Sequence, residues 1–139
     1  MGSIAAMRGD LKRATTLIDD ALGRNPRHAP SLRVRANLAA QSGDTEFEER
    51  LLGRYLTEAP AAAWAHARLG DLAISANHLE DARHSFLHAY NLQPDATTAR
   101  RLAELAQRRD DHAEARLWQE RAGTLPTTAK AKQDDPEGP

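Results

Sequence analysis

Small and large apolar residues return along the chain at a fixed distance. Gly70 falls in line with Ala36 and Ala103, Ala82 with Ala14 and Ala115, Ala89 with Ala21 and Ala122, and Phe86 with Ile18 and Leu52. Small residues recur where two helices must cross closely, and a large apolar residue recurs to fill the space they leave. The pattern predicts helices at about 2–8, 10–24, 29–42, 45–58, 62–75, 79–92, 96–108 and 112–124. Two rulers fix the period. Pro26, Pro60 and Pro94 are 34 residues apart, and the turn-like Gly9, Gly43 and Asn77 step by the same 34, with Asp110 following 33 later. Asp44-Thr45 and Asp110-Asp111 stand just before helices, where aspartate favours an N-terminus.

The third block carries Leu69-Gly70, Ala73, Asn77, Leu79, Ala82, Phe86, Ala89 and Pro94 without gaps. On these residues the chain resembles the tetratricopeptide repeat (TPR) family, over residues 1 to about 126. The resemblance implies an all-α, right-handed α-solenoid of antiparallel helix hairpins. Its divisions are a partial first repeat at 1–26 (a truncated first helix plus the second), repeats at 27–60, 61–94 and 95–126, and a disordered tail at 127–139. That tail, "TTAKAKQDDPEGP", has no apolar periodicity.

The chain also departs from the family pattern. Glu48 and Tyr55 stand where alanines are usual, which predicts altered packing there, such as a rotated helix. Arg35 stands where a leucine is usual, and Pro126 comes early in a shortened fourth block. The first block retains only the end of its first helix, as expected of a piece of a longer array or of an array capped by something absent here.

Composition narrows the function classes. Aromatic residues are only 4%, so the core must be aliphatic, and alanine and leucine, both strong helix formers, dominate it. A net charge of −1 gives no global field for nucleic acid. The absence of cysteine excludes disulfides, thiol catalysis and cysteine zinc sites. No apolar run approaches the roughly 18 residues of a membrane span, so no membrane insertion is expected. No signal peptide is recognisable, and Met1-Gly2-Ser3 reads as a cloning remnant that leaves an upstream signal or anchor open. Arginine far outnumbers lysine, which occurs only at Lys12, Lys130 and Lys132; together with the alanine content this suggests a bacterial source. Bacterial cytoplasm and periplasm both remain open.

Candidate chemistry is sparse. His84 and His88 lie four apart on one predicted helix, with Asp81 and His78 nearby. Zinc needs three or four converging ligands, and two exposed histidines on a convex helix is the plainer reading. No serine sits in a GxSxG turn and no glycine-rich phosphate loop exists. The expectation is no enzyme, no metal and no cofactor. Trp118 is expected to cover the terminal core. Trp64 could point into the groove or pack on the preceding turn.

In the TPR family the first helices of successive repeats line a concave surface. The resemblance places Arg33 and Asn37 of the second block there, with Trp64, Arg68 and Asp71 of the third and Arg100, Arg101, Glu104 and Arg108 of the fourth. Five arginines then face two acids. Some family members grip a C-terminal carboxylate with a clamp of Lys or Arg and Asn. Arg33, Asn37 and Arg101 fall at clamp positions, whereas Arg68 replaces an Asn and Thr97 a Lys. The match is partial. These nine residues are the expected peptide-binding set, and the expected function is a non-catalytic scaffold binding an acidic or carboxylate-bearing segment of a protein partner. The competing reading of the arginines is a solvated helix face. The alternatives in function are self-association through open ends that expose Ile4 and Leu17, and an accessory TPR domain of a larger bacterial envelope protein serving polysaccharide export, outer-membrane assembly or cytochrome maturation.

Overall fold

The computed structural model describes residues 2–126, with side chains from residue 8 onward. The expected tail at 127–139 and the side chain of Ile4 lie outside the described residues. Seven helices follow one another among the described residues: α1 (Gly2–Arg24), α2 (Ala29–Gln41), α3 (Thr45–Glu58), α4 (Ala63–Ser75), α5 (Leu79–Leu92), α6 (Ala96–Arg108) and α7 (His112–Thr124). The expected break at Gly9 is corrected, because α1 runs through it as one helix. A helix of about seven residues is marginal by itself, and extending an existing helix costs less than ending it, even across a glycine.

The other three ruler residues do turn the chain. Gly43, Asn77 and Asp110 have φ of 78°, 61° and 58°. Each is the left-handed residue that ends the helix before it, and the same pair of hydrogen bonds recurs every time. Gly43 N–H donates to Ala40 O and Asp44 N–H to Ala39 O; Asn77 and His78 donate to Ile74 and Ala73; Asp110 and Asp111 donate to Gln107 and Ala106. This is the Schellman closure, which satisfies carbonyls that a helix end leaves open. Asp44 and Asp111 then cap the following helices, accepting from Phe47 N–H at 3.2 Å and Glu114 N–H at 3.1 Å. A Cβ in the left-handed region costs about 1–2 kcal/mol. Gly43→Ala should therefore lose about that much stability in urea denaturation, whereas Asp110→Gly should stay within about 1 kcal/mol of the parent. Equal losses would contradict this account of the turns.

The chain divides between Ala61 and Ala62 into two compact units. In the first, α2 and α3 pair as a hairpin with α1 against α2. Leu32, Ala36, Ala39, Leu51 and Leu52 form its buried apolar set. Glu48 is only 2% exposed at the position that Ala82 and Ala115 hold in the other hairpins, so α3 buries the carboxylate side chain there. Arg35, the other departure, donates from Nε to Asp19 Oδ1 of α1 at 2.9 Å and lies over the Phe47 ring at 4.7 Å.

In the second unit α4 pairs with α5 and α6 with α7. One core runs through both hairpins: Ala73, Ala82, Phe86, Ala99, Leu102, Ala103, Leu105 and Trp118 are all buried. Asp95 precedes α6, is itself buried, and accepts from Thr98 N–H at 2.8 Å. The Ala96 N–H donates to Pro126 O at 2.8 Å, which ties the chain beyond α7 back to the start of α6.

Candidate protein-interaction face

α6 is the most sharply two-sided helix. Its buried side carries Ala96, Thr98, Ala99, Leu102, Ala103, Leu105 and Ala106. At 3.6 residues per turn, Thr97, Arg100, Arg101, Glu104 and Arg108 fall within an arc of about 100° on the other side. Arg100, Glu104 and Arg108 are exposed and Arg101 is half-buried. The core, by claiming one side completely, gathers the charged residues onto one strip.

The strip is tied to α4. Arg101 Nε lies 3.4 Å from Asp71 Oδ1, and Arg101 Nη1 lies 3.5 Å from Glu104 Oε2. Burial pushes the Asp71 carboxyl above the usual aspartate range, while the charges of Arg101 and Arg68 pull the other way. Asp71 therefore takes up a proton at higher pH than an ordinary aspartate, and protonation there weakens its hold on Arg101. Arg100 and Arg108 form no ion pair among the described residues. Arg68 and Trp64 are half-buried on α4 and both are engaged in contacts. Arg33 and Asn37 stand exposed, one turn apart on α2, in the first unit. The structure thus brings Arg68, Asp71, Arg101 and Glu104 together as one charged cluster. Sequence spacing places them on a common face and does not reveal their mutual pairing, which occupies Arg101 with two carboxylates.

Among the described residues no group of three or more potential ligands could hold a metal, and no helix is long and apolar enough to cross a membrane. His88 is stacked on His66 of α4, with centroids 4.2 Å apart and planes within 12°. Parallel rings present π faces to each other rather than converging nitrogen lone pairs. Sequence reading had considered His84 beside His88 and missed His66, because the pair forms across two helices and no spacing along one helix reveals it.

No protein-family model and no curated sequence matches the chain. Among solved structures it is similar to MamA, a TPR-like protein. The MamA RS-1 ArsTM double mutant is 25% identical with a TM-score of 0.75, and MamA 41-end from Desulfovibrio magneticus RS-1 is 24% identical with a TM-score of 0.71; each match covers 97% of this chain and 74% of the other. MamA AMB-1 is 22% identical with a TM-score of 0.74, covering 86% of this chain and 66% of that one. The seven helices, their hairpin pairing and these neighbours agree: among the described residues the chain has an all-helical, TPR-like helical-repeat fold built of helix hairpins, which supports a protein-interaction module.

Proposed function

We propose that the chain is a non-catalytic scaffold whose α4–α6 face takes an acidic or carboxylate-bearing segment of another protein. The observation that supports this reading is the strip on α6, where Arg100 and Arg108 hold no partner carboxylate beside an Arg101 that already holds two. Guanidinium suits the task because its planar fork makes two parallel hydrogen bonds to one carboxylate. Arg100 and Arg108 meet the ligand first. Arg101 exchanges Asp71 or Glu104 for it, with Arg68 and the Trp64 ring alongside on α4. Arg33 and Asn37 offer the same donor types within the first unit.

A fluorescein-labelled acidic peptide with a free C-terminal carboxylate, titrated by anisotropy, tests the reading. Arg100→Glu/Arg108→Glu should weaken binding by about tenfold or more, and added salt should weaken the parent complex, as expected for exposed charge pairs. Arg24→Glu/Arg116→Glu makes the same change in net charge at exposed positions outside the strip and should leave binding unchanged. Arg121 is unsuitable as a control because it lies over the Trp118 ring at 4.7 Å. Equal losses in both doubles, or none in either, would remove the α6 strip from the binding surface.

A further inference from the structure

Arg101 reaches from α6 toward a carboxylate that belongs to the chain itself. Its Nε lies 3.4 Å from Asp71 Oδ1 on α4, and its Nη1 lies 3.5 Å from Glu104 Oε2, one turn further along α6. A ligand carboxylate therefore finds its place on this guanidinium already taken.

The two resident carboxylates respond differently to displacement. The Glu104 side chain is 54% exposed and lies on the same helix as Arg101, so it can turn into water at little cost. The Asp71 side chain is 39% exposed, faces α6, and has one methylene between its carboxyl and the backbone, which leaves it no route to full hydration. The charges acting on Asp71 are Arg101 and Glu104 of α6 and Arg68 of its own helix; none comes from α5 or α7 among the described residues. Burial outweighs the two cations and holds its carboxyl above the ordinary value of 3.8. Seating a second anion on Arg101 pushes in that same direction. The guanidinium charge is then shared with the ligand, and a new negative charge arrives beside Asp71. Both effects favour the protonated carboxyl.

We infer that Asp71 is an internal competitor for the ligand's place on Arg101, so that binding of an acidic segment is coupled to proton uptake at Asp71 and tightens as pH falls. This rests on the α4–α6 face being the acidic-segment site proposed above. Where Asp71 is already protonated, affinity is highest and independent of pH. Above that titration each binding event takes up a proton, and affinity falls by at most about tenfold per pH unit. It levels off once Asp71 stays ionised in the complex as well. The competition also selects for dense negative charge. A lone carboxylate only replaces another on Arg101, whereas a cluster of them also reaches Arg100 and Arg108.

The test uses the full chain and a rhodamine-labelled, amidated peptide with cysteic acid at each acidic position, so that the ligand keeps its charge. Anisotropy titrations run from about pH 4.5 to about pH 7.5, above the ordinary aspartate range. The parent should bind about threefold or more tightly at the low end than at the high end. Asp71→Asn keeps the shape and removes the charge. It should bind about threefold or more tightly than the parent at the high end and lose most of the pH dependence. Its residual slope measures what the six histidines contribute. Glu104→Gln should also tighten binding but keep the parent's pH dependence. Equal slopes in parent and Asp71→Asn overturn the coupling and leave the binding face standing. A peptide-free arm follows the Asp71 carboxyl carbon by NMR. Its midpoint should rise by about half a pH unit or more in Arg101→Gln, and also when saturating peptide is added to the parent. A midpoint unmoved in Arg101→Gln overturns the coupling whether or not the peptide binds. Absence of binding to both parent and Asp71→Asn at every pH removes the binding face, and the coupling with it.

Discussion

Gly70→Leu should unfold the second unit at markedly lower urea concentration than the parent, because the helix crossing at this position leaves no room for any side chain. A Cβ built on Gly70 would lie 2.7 Å from two carbons of the Phe86 ring and 2.9 Å from a third. The ring cannot step aside cheaply, since Phe86 is 1% exposed within the core. Overpacking of this kind costs about 1–3 kcal/mol, and leucine at such a contact belongs at the upper end or beyond. Alanine sets two effects against each other. Replacing a helical glycine gains about 1 kcal/mol of propensity, whereas contact at 2.7 Å forces α4 and α5 apart along a whole hairpin. The packing effect should win, leaving Gly70→Ala destabilised by about 1 kcal/mol or more. The two residues should also couple. In a Phe86→Leu background the ring is gone, and adding Gly70→Ala should then be neutral or stabilising, which a double-mutant cycle reads directly. Glu80→Leu, on an exposed side chain 3.8 Å from Arg109, should be nearly silent. Equal stability of Gly70→Leu and Glu80→Leu, or simple additivity in the cycle, would show that the close crossing lies elsewhere.

The Gly70–Phe86 contact was legible in the sequence because it repeats. Small residues return at Ala36 and Ala103, large ones at Ile18 and Leu52, and sterics make that complementarity a local rule. The turns at Gly43, Asn77 and Asp110 were legible for the same reason, since few residues accept a positive φ. Gly9 misled because glycine is compatible with two outcomes, and which one holds depended on how much helix stood before it rather than on the glycine. The candidate site was legible as a composition of one face and not as a set of contacts. Helical spacing places Arg100, Arg101, Glu104 and Arg108 together on α6. It does not reveal that Arg101 reaches across to Asp71 on α4, because long side chains choose among several neighbours at similar distance. The role of Arg35 escaped for a related reason. Arg35 in place of a leucine was visible, yet its meaning depended on Asp19, placed by how α1 packs on α2.

Trp118→Ala should produce a stability loss at least as large, and one concentrated in the last hairpin. Trp118 is 5% exposed and joins α7 to the core that runs back through α6 to Phe86. Truncating a buried aromatic of this size to alanine costs about 3–5 kcal/mol, from lost burial plus the cavity left behind. Directional contacts add to that. The Tyr90 ring meets the indole edge-on at 5.0 Å and 80°, an arrangement worth about 0.5–1.5 kcal/mol beyond area alone. The indole N–H donates to Glu114 Oε1 at 3.3 Å, and Arg121 lies over the ring at 4.7 Å. The same Glu114 oxygen accepts from Arg83 Nη2 of α5 at 3.1 Å, so the tryptophan helps fix the carboxylate that links α5 to α7. Trp118→Phe keeps most of the burial but loses the donor to Glu114, and should cost about 1–2 kcal/mol. In a repeat array each hairpin is held by its nearest neighbours, and α7 packs against α6. Hydrogen exchange should therefore show α7 and α6 amides losing protection in Trp118→Ala well before those of α4, with a matching fall in the urea midpoint. A loss of less than about 1 kcal/mol in Trp118→Ala, or a uniform loss of protection over all four helices of the unit, would show that the indole is not what anchors the final hairpin.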